Sequence, residues 1–390
     1  MPRVALRPSE RVLTTRALNR ALLARQHLLR RAQRSPLAEI EWLVGLQAQA
    51  PPSPYIGLWT RLEGFRPEEL SELIERRRAV RIATLRTTIH LHSADDALTL
   101  RALTQPLSER TFRSTPFGKQ LADEDLRAAL ARAAELLAAE PMTSAEIGAR
   151  LKDGWPQHAA PALGMAVRYL LPLVQVSPRG LWRTSGQARH TTVEAWLGRQ
   201  PDSAARPDDV VLRYLAAYGP ATAGDVRAWS GIAGLRLVIE RLRPRLRTFR
   251  DERGRELFDV TDGAMPDPQT PAPVRFLPDY DNALLGHEDR SRVIADQDRR
   301  RVMATETGTF GSVLVDGFGA AVWREQRDRG ERRDRGERRG RWEVVLEVSP
   351  MRRLAAGERA EVLEEASRLV AFLHPEDGMR RDVRILNPRG

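Results

Sequence analysis

The sequence predicts an α+β fold in which repeated helix-rich units precede a β-rich C-terminal region. Leucines at helical spacing alternate along the chain with short strand-like segments. Two threonine capping motifs, Thr143 with Glu146 and Thr222 with Asp225, stand at the same step of two successive segments. From about residue 265 the proline-rich stretch DGAMPDPQTPAPVRF marks a boundary, and strand-like segments follow it. Together these observations indicate domain duplication followed by a different domain.

Residues 10–105 make the first predicted unit. Leucines in LTTRALNRALLARQHLLRRAQ indicate a helix, a second helix covers 36–50 until PPSP ends it, and a third begins at Pro67. The segment from Val80 to His92 then alternates like a β-hairpin. Three helices followed by β structure give the outline of a winged helix, a form of helix-turn-helix domain.

The same order recurs in residues 120–190 and 205–263. In the second unit, helices at 123–139, after Thr143 and at 160–173 lead into LVQVSPRGLWRTSG, which predicts two strands around a Pro-Arg-Gly turn. In the third unit, RDERGRELFDV again predicts a turn between strands. We interpret the three segments as winged-helix units in tandem, the first being the most divergent.

Residues 274–390 are predicted to form a β-rich C-terminal domain. SVLVDGFGAAVW and WEVVLEVSP are typical of strands in one antiparallel sheet, a helix over 354–373 follows, and DVRIL is a last strand. The Arg-rich segment 325–341 repeats RDRGER and has low complexity. We expect it to be a disordered hairpin tip.

Composition excludes several classes of protein. The chain has 390 residues with 42% hydrophobic content, so it is long enough for several folded units. It contains no cysteine, which excludes disulfides, thiolate zinc sites and iron–sulfur clusters. No apolar stretch is long enough to cross a bilayer, and the start lacks the apolar core of a signal peptide. We expect a cytoplasmic protein without metal or cofactor.

The charge favours a polyanionic partner. The formal net charge is +11, and only Lys119 and Lys152 among the 63 basic residues are lysines, so 61 are arginine. Guanidinium groups bind phosphate oxygens in a bidentate manner. A GC-rich genome also favours arginine over lysine, but a large basic protein favours nucleic acid as its partner, and the charge alone leaves general DNA or RNA binding without turnover open.

The stretch GLQAQAPPSP places Gln47 and Gln49 two residues apart at the expected end of the second helix. On a regular helix, side chains at i and i+2 point about 200° apart, so they could not face one ligand. Pro51 disfavours helical geometry at Ala50, and the backbone should leave the helix near the pair. Either a solvated helix end or two amides turned into one cleft fits this pattern.

Five segments, in order, resemble the winged-helix DNA glycosylases of the AlkZ type: RALNRALLARQHLL, LVGLQAQAPPSP, RTTIHL, LPDYDNALLGHEDRSRVI and VLVDGFGAAVW. The resemblance implies a C-shaped monomer around DNA and hydrolysis of the N-glycosidic bond of alkylated purines, notably N7-alkylguanine. It also implies that interstrand crosslinks can be unhooked. The family's catalytic signature, glutamine, apolar residue, glutamine, falls on Gln47, Ala48 and Gln49.

Glutamine cannot act as a general base, because its amide does not titrate. An N7-alkylated guanine is already cationic and leaves as a neutral base, so only a positioned water is needed. A strand-nicking glycosylase would need an amine, and neither lysine lies in a motif of the family. We therefore expect a monofunctional enzyme that leaves an abasic site. The alternative is a non-catalytic winged-helix transcriptional regulator, for which the glutamine motif has no use.

Five residues are candidates for DNA binding. Arg86 and His90 lie on the predicted wing of the first unit, where packing within the hairpin is an equal alternative. Arg290 and Arg292 follow a polar loop that either holds them toward DNA or is merely salt-bridged. Arg236 lies on the would-be recognition helix of the third unit, although such helices often pack internally in tandem arrays. His-x-His and the acidic loop are weak signals for metal, and we expect no metal site. We expect a bacterial, nucleoid-associated monomer.

Overall fold

The computed structural model describes residues 11–121, 123–298, 311–329, 342–376 and 380–388. Its helices are numbered here in chain order. They are α1 (Thr15–Arg25), α2 (Pro36–Trp42), α3 (Ser53–Trp59), α4 (Pro67–Glu75), α5 (Ala94–Ser114), α6 (Asp123–Ala139), α7 (Ser144–Lys152), α8 (Ala160–Leu170), α9 (Val193–Leu197), α10 (Pro207–Tyr218), α11 (Ala223–Ser230), α12 (Leu235–Leu242), α13 (Asn282–Leu285) and α14 (Ala356–Leu373). None of these described helices is long and apolar enough to span a membrane.

The strands form three sheets and confirm that the fold is α+β. They are β1 (Val12–Leu13), β2 (Leu46–Gln47), β3 (Ala79–Ala83), β4 (Ile89–Ser93), β5 (Leu173–Gln175), β6 (His190–Thr192), β7 (Leu246–Asp251), β8 (Glu256–Val260), β9 (Arg275–Leu277), β10 (Gly311–Val315), β11 (Phe318–Arg329), β12 (Trp342–Pro350) and β13 (Arg380–Ile385). Their orders are β1-β7-β8, β2-β4-β3-β5-β6 and β13-β12-β11-β10-β9.

Strand pairing crosses the borders of the predicted units. The second sheet joins β2, β3 and β4 from the first segment to β5 and β6 from the second, through the pairing of β3 with β5. Strand β1 leaves the first segment and pairs in parallel with β7 of the third. The division into tandem winged helices and the C-shape therefore stay predictions.

Both predicted capping boxes are present. The Thr143 hydroxyl accepts from Glu146 N at 3.2 Å, and the Glu146 carboxylate accepts from Thr143 N at 2.8 Å. Thr222 and Asp225 make the same exchange at 3.0 and 2.9 Å. Each box satisfies amide groups that the start of a helix leaves unpaired, and each opens the second helix of its segment.

The predicted helix over 36–50 is wrong in its second half. Helix α2 ends at Trp42, and Val44 and Gly45 then adopt left-handed φ values of 54° and 96°. The chain reverses there and enters the short strand β2. The apolar residues whose spacing predicted a longer helix are buried in the turn and in the sheet instead. Val44 is 0% exposed and Leu46 is 3% exposed.

The second strand predicted beside the Pro-Arg-Gly turn also lies elsewhere. Residues after the turn do not form a strand, and the partner of β5 is His190–Thr192. Trp182 is held away from the sheet, because its backbone N–H donates to Ser71 Oγ at 3.1 Å and its ring packs against Tyr55 and Phe372. This packing outweighs the local hairpin pattern.

The C-terminal sheet agrees with the predicted strands. Strands β10, β11 and β12 pair antiparallel as expected, and helix α14 packs on this sheet through a shared apolar core. Strand β13 pairs in parallel with β12. Of the Arg-rich segment 325–341, residues 330–341 lie outside the described residues.

The largest apolar core joins distant parts of the chain. It contains Leu22 and Leu23 of α1, Tyr214 and Tyr218 of α10, Trp229 of α11 and Leu284 of α13. Val44 and Leu85, which flank the glutamine motif and its neighbouring turn, belong to the same core. The motif is therefore attached to the rigid interior rather than to a separate surface loop.

Candidate active site

Gln47 lies on β2, which pairs antiparallel with β4 so that Gln47 faces His90 in register. Ala48 continues the ladder, because its N–H donates to Ile89 O at 2.8 Å. In extended backbone, side chains at i and i+2 point to the same side. Gln47 and Gln49 accordingly line one cleft, while Ala48 between them is fully buried. The chain has already left helix α2 at Trp42, before the motif begins, so the expected break of a helix by Pro51 is not what brings the pair together.

Two buried side chains hold the backbone of the motif. Asn282 donates its amide to Gly45 O at 2.7 Å, and Arg81 donates to Ala48 O at 2.7 Å. Arg81 is 2% exposed, and burial lowers the pKa of its guanidinium to about 10, so the group is still cationic at neutral pH. Since both carbonyls are satisfied from inside the protein, the motif has a fixed course past the cleft.

The two amides differ in their surroundings. Gln47 is 8% exposed, and its Oε1 accepts from a guanidinium NH2 of Arg86 at 2.8 Å. Gln49 is exposed, and its Oε1 lies a long 3.4 Å from the N–H of Ile89. Gln47 is therefore fixed, whereas Gln49 keeps most of its freedom to meet a ligand.

The cleft has a volume of about 310 Å³ and a mixed polar and apolar wall. This volume is at the small end of the range for ligand pockets. Its walls come from three distant parts of the chain. The lining residues are Gln47, Gln49, Ala83, Thr87, Thr88, Ile89, Ser108, Arg168, Tyr169, Leu173, His190 and Tyr280.

None of the residues that line the cleft in the described chain is an aspartate, glutamate or lysine. His190 is 6% exposed, and burial lowers the pKa of its imidazole to about 4, so the ring is neutral at neutral pH. Arg168 is exposed at the rim. A site of this kind can position a water and favour phosphate, but at neutral pH it offers no carboxylic acid or ammonium group to protonate a leaving group.

Burial contradicts two of the predicted DNA contacts. His90 is 2% exposed; its Nδ1 lies 3.0 Å from Thr88 O, and its ring stacks on His92 at 5.5 Å between centroids. Arg292 is 4% exposed and donates to Pro220 O at 2.9 Å. Neither side chain reaches the surface where a phosphate would bind, because each packs into the interior.

Arg86 does not fit the predicted role either. Its guanidinium is turned inward between Gln47 and the carbonyl of Trp229, so it braces the motif rather than meeting a phosphate. Arg236 is exposed on α12, and Arg290 is partly exposed near Arg86. Those two residues stay candidates for DNA contact.

The described residues contain no group of three or more histidine, cysteine or acidic side chains that could hold a metal. Two carboxylates of the polar loop are used in ion pairs. Asp281 pairs with buried Arg61 at 2.7 Å, and Asp289 pairs with Arg253 and Arg255. The loop is structural, which is the alternative left open by the sequence.

Comparison with known proteins gives two findings. The family model described as DNA glycosylase AlkZ-like matches residues 40–372. The solved structure of Streptomyces sahachiroi DNA glycosylase AlkZ is similar, with a TM-score of 0.71 at 20% identity, over 96% of this chain and 100% of that chain. A comparison with curated proteins gives no match.

The chain belongs to the AlkZ-like DNA glycosylase family.

Membership decides between the two functions that the sequence leaves open. This AlkZ-like protein is a DNA glycosylase, so the interpretation as a regulator without catalysis is set aside. The similarity to the solved structure extends over nearly the whole chain and concerns the fold.

Among the residues that line the AlkZ-like cleft, only the two glutamines were singled out from the sequence. The charged or aromatic lining residues that come from outside the first segment are Arg168, Tyr169, His190 and Tyr280. The first three come from the second segment, which is joined to the first through the pairing of β3 with β5 and through the packing of α5 on α8. Nothing local in the sequence reports such a pairing. Tyr280 lies within the recognised segment LPDYDNALLG and adopts a left-handed φ of 58°, which only the structure shows.

Proposed function

We propose that this AlkZ-like glycosylase hydrolyses the N-glycosidic bond of alkylated purines, of the N7-alkylguanine type, in double-stranded DNA. Gln47 and Gln49 are the catalytic residues. The observation that carries the proposal is the pair of neutral amides on one side of a cleft whose described lining lacks a carboxylate or an ammonium group.

A neutral site suits a leaving group that needs no acid. Alkylation at N7 makes the guanine cationic, and bond cleavage releases it as a neutral base. The remaining task is to hold water against the oxocarbenium-like sugar, and positioned dipoles supply this. An unmodified purine would need protonation, which this cleft does not offer at neutral pH. Selectivity for damaged bases then follows from the lack of a carboxylic acid or ammonium group in the described lining of the cleft at neutral pH.

We further propose that the enzyme is monofunctional. A lyase step would need an amine to attack the sugar. Lys119 and Lys152 are both exposed, and neither lines the cleft. The product of the reaction is accordingly an abasic site with an uncut strand.

The surroundings of the cleft favour DNA as the partner. Arg168 is exposed at the rim, and its side chain makes no hydrogen bond or ion pair with other residues in the described part of the chain, so its guanidinium is available to a backbone phosphate. Because the cleft is small, the lesion is engaged at its mouth without full insertion, and a bulky lesion or one fixed to both strands can then be accepted. We therefore extend the proposal to unhooking of interstrand crosslinks by a monomer.

The test uses duplex DNA containing N7-methylguanine and, separately, a nitrogen-mustard crosslink. Released base and alkali-labile abasic sites are measured for the wild type, Gln47→Ala, Gln49→Ala and the matched control Gln200→Ala. Gln200 is exposed and bonds only to Glu194 among the described residues. We expect base release by the wild type and the control, and a loss of about 100-fold or more in each motif variant.

Two outcomes would count against the proposal. No release from either duplex would refute the substrate class. Release that survives both motif substitutions, with DNA binding unchanged, would move the chemistry away from Gln47 and Gln49.

A further inference from the structure

The turn before β4 places a partly buried arginine against one of the two proposed catalytic amides. Arg86 and Thr87 adopt left-handed φ values of 53° and 59°, a conformation that residues with a side chain rarely take. One NH2 group of Arg86 donates to Gln47 Oε1 at 2.8 Å, and the other donates to the carbonyl oxygen of Trp229. The guanidinium therefore bridges the motif to the last turn of α11.

This contact fixes which end of the Gln47 amide faces the cleft. A guanidinium can only donate hydrogen bonds, so the group that meets it must be the amide oxygen. The NH2 end of Gln47 then points away from Arg86. It makes no hydrogen bond to another group of the described chain, and Gln47 lines the cleft.

We propose that Arg86 is a positioning residue that holds Gln47 with its Nε2 amide directed into the cleft as a hydrogen-bond donor. Resting on the proposed function, this assigns the two glutamines different tasks. Gln47 donates to an oxygen of the bound nucleotide or of the attacking water, and Gln49, whose oxygen is only weakly engaged, is the acceptor that orients a water proton.

The residue to which Arg86 is bonded on α11, Trp229, is held rigidly. Trp229 packs its ring against Tyr214 and Tyr218 at centroid distances of 4.8 and 5.7 Å. Gly231 follows with φ of 75°, and a Cβ there would lie 2.7 Å from Leu107 Cδ2 and 3.4 Å from Arg86 Cα. The third helical segment thus fits closely against the turn, and the position of Gln47 depends on it.

The charge of Arg86 adds to the effect. Burial lowers the pKa of its guanidinium to about 10, so the group stays cationic at neutral pH. A cation on the carbonyl oxygen polarises the amide and makes the N–H groups on its other end better donors. The arrangement therefore strengthens the donor role that the geometry assigns.

Gln47→Glu tests the donor directly. A carboxylate at this position keeps the size and the contact with Arg86, but it presents an oxygen to the cleft instead of an NH2 group. We expect Gln47→Glu to lose base release as completely as Gln47→Ala, measured as single-turnover rates. A rate within about threefold of the wild type would overturn the donor assignment.

A double-mutant cycle tests whether Arg86 acts through Gln47. We expect Arg86→Ala to lower the single-turnover rate about 10–100-fold, as for residues that orient a catalytic group. In the Gln47→Ala background the same change should have no further effect. A multiplicative loss in the double variant would overturn the positioning role. Arg132→Ala, which removes an exposed arginine paired with Glu135, is the control for arginine removal.

A spectroscopic measurement is independent of turnover. Side-chain amide resonances of protein labelled with ¹⁵N-glutamine are recorded for the wild type and Arg86→Ala, and the Gln47 signal is assigned with Gln47→Ala. We expect the Gln47 resonance to shift in Arg86→Ala while the Gln200 resonance stays in place. An unmoved Gln47 resonance would overturn the inference even if base release is observed, and a shift without base release would reject only the proposed function.

Discussion

Gly45 shows how one residue determines the course of the glutamine motif. Its φ of 96° reverses the chain after α2, and it has no side chain where the ring of His92 lies. A Cβ at this position would stand 2.2 Å from His92 Nδ1. The glycine is needed twice, for its backbone conformation and for the space beside it.

Gly45→Ala should therefore destabilise the fold by more than the strain of the left-handed backbone alone. Left-handed backbone costs about 1–2 kcal/mol for alanine, and overpacking adds about 1–3 kcal/mol. We expect a loss of about 2–5 kcal/mol in the free energy of unfolding, measured by urea denaturation. Gly64→Ala is the matched control, because Gly64 has φ of 66° and nothing within 4 Å of a new Cβ. Equal losses in both variants would contradict the steric argument.

The residue scale is also where the sequence is least informative. Gln47 and Gln49 have no titratable chemistry that would single them out, and only the resemblance to a family identifies them. Arg86 is turned inward by its contact with Gln47, and His90 by its contact with Thr88. A sequence shows that an arginine is present, but not whether its guanidinium points outward.

Among the elements, the segment from Tyr280 to Arg292 connects the cleft to the core. Asp281 accepts two hydrogen bonds from Arg61, at 2.7 and 2.9 Å, and both side chains are at most 1% exposed. Asn282, the next residue, holds Gly45 O, and Tyr280 before it lines the cleft. One buried ion pair thus fixes the residues on both sides of it.

Asp281→Asn should leave the Arg61 cation buried without its carboxylate. Removing one partner of a buried pair costs about 3–5 kcal/mol. We expect a loss of this size in the free energy of unfolding, measured by both thermal and urea denaturation. The comparison variant is Glu135→Gln, whose pair with Arg132 is exposed and should contribute less than about 1 kcal/mol. A loss below 1 kcal/mol in Asp281→Asn would show that Arg61 finds another partner.

Elements that neighbouring residues determine were predicted well from the sequence. Elements that depend on contacts between distant residues were predicted poorly. The capping boxes at Thr143 and Thr222 and the hairpin of β7 and β8 were predicted correctly, because neighbouring residues determine them. The end of α2 and the position of β6 were missed. The end of α2 depends on the space that the ring of His92 leaves beside Gly45. The position of β6 depends on the docking of Trp182 onto Ser71 and Phe372, and both contacts join residues that lie far apart along the chain.

At the scale of the whole molecule, buried histidines tie stability to pH. Burial lowers the pKa of His92 and of His190 to about 4 and that of His287 to about 3, and it holds the pKa of His90 well below its usual range. Between those values and about 6.5, the ordinary pKa of histidine, the unfolded chain binds more protons than the folded one. The free energy of unfolding therefore rises with pH in this window.

We expect the protein to be less stable at pH 5 than at pH 7. Each buried histidine contributes a slope of up to about 1.4 kcal/mol per pH unit once the pH is below 6.5. Urea denaturation at several pH values gives the slope. His190→Gln should reduce it, because one neutral buried imidazole is removed. Asp289 and Glu358, whose pKa values are lowered to about 2, lose their contribution only below about pH 4. Equal stability at pH 5 and 7 would show that the histidines become protonated without unfolding.

The five-stranded sheet β2-β4-β3-β5-β6 limits where the chain of such an enzyme can be truncated. Its strands come from two stretches of the chain that are separated by four helices, and the cleft adds Tyr280 from a third stretch. A shortened gene that encodes only residues 11–121 would contain both glutamines but not the cleft. The glutamine motif on its own is therefore a poor guide to a working enzyme. In a fused or truncated relative, one should look first for the strand that pairs with β3.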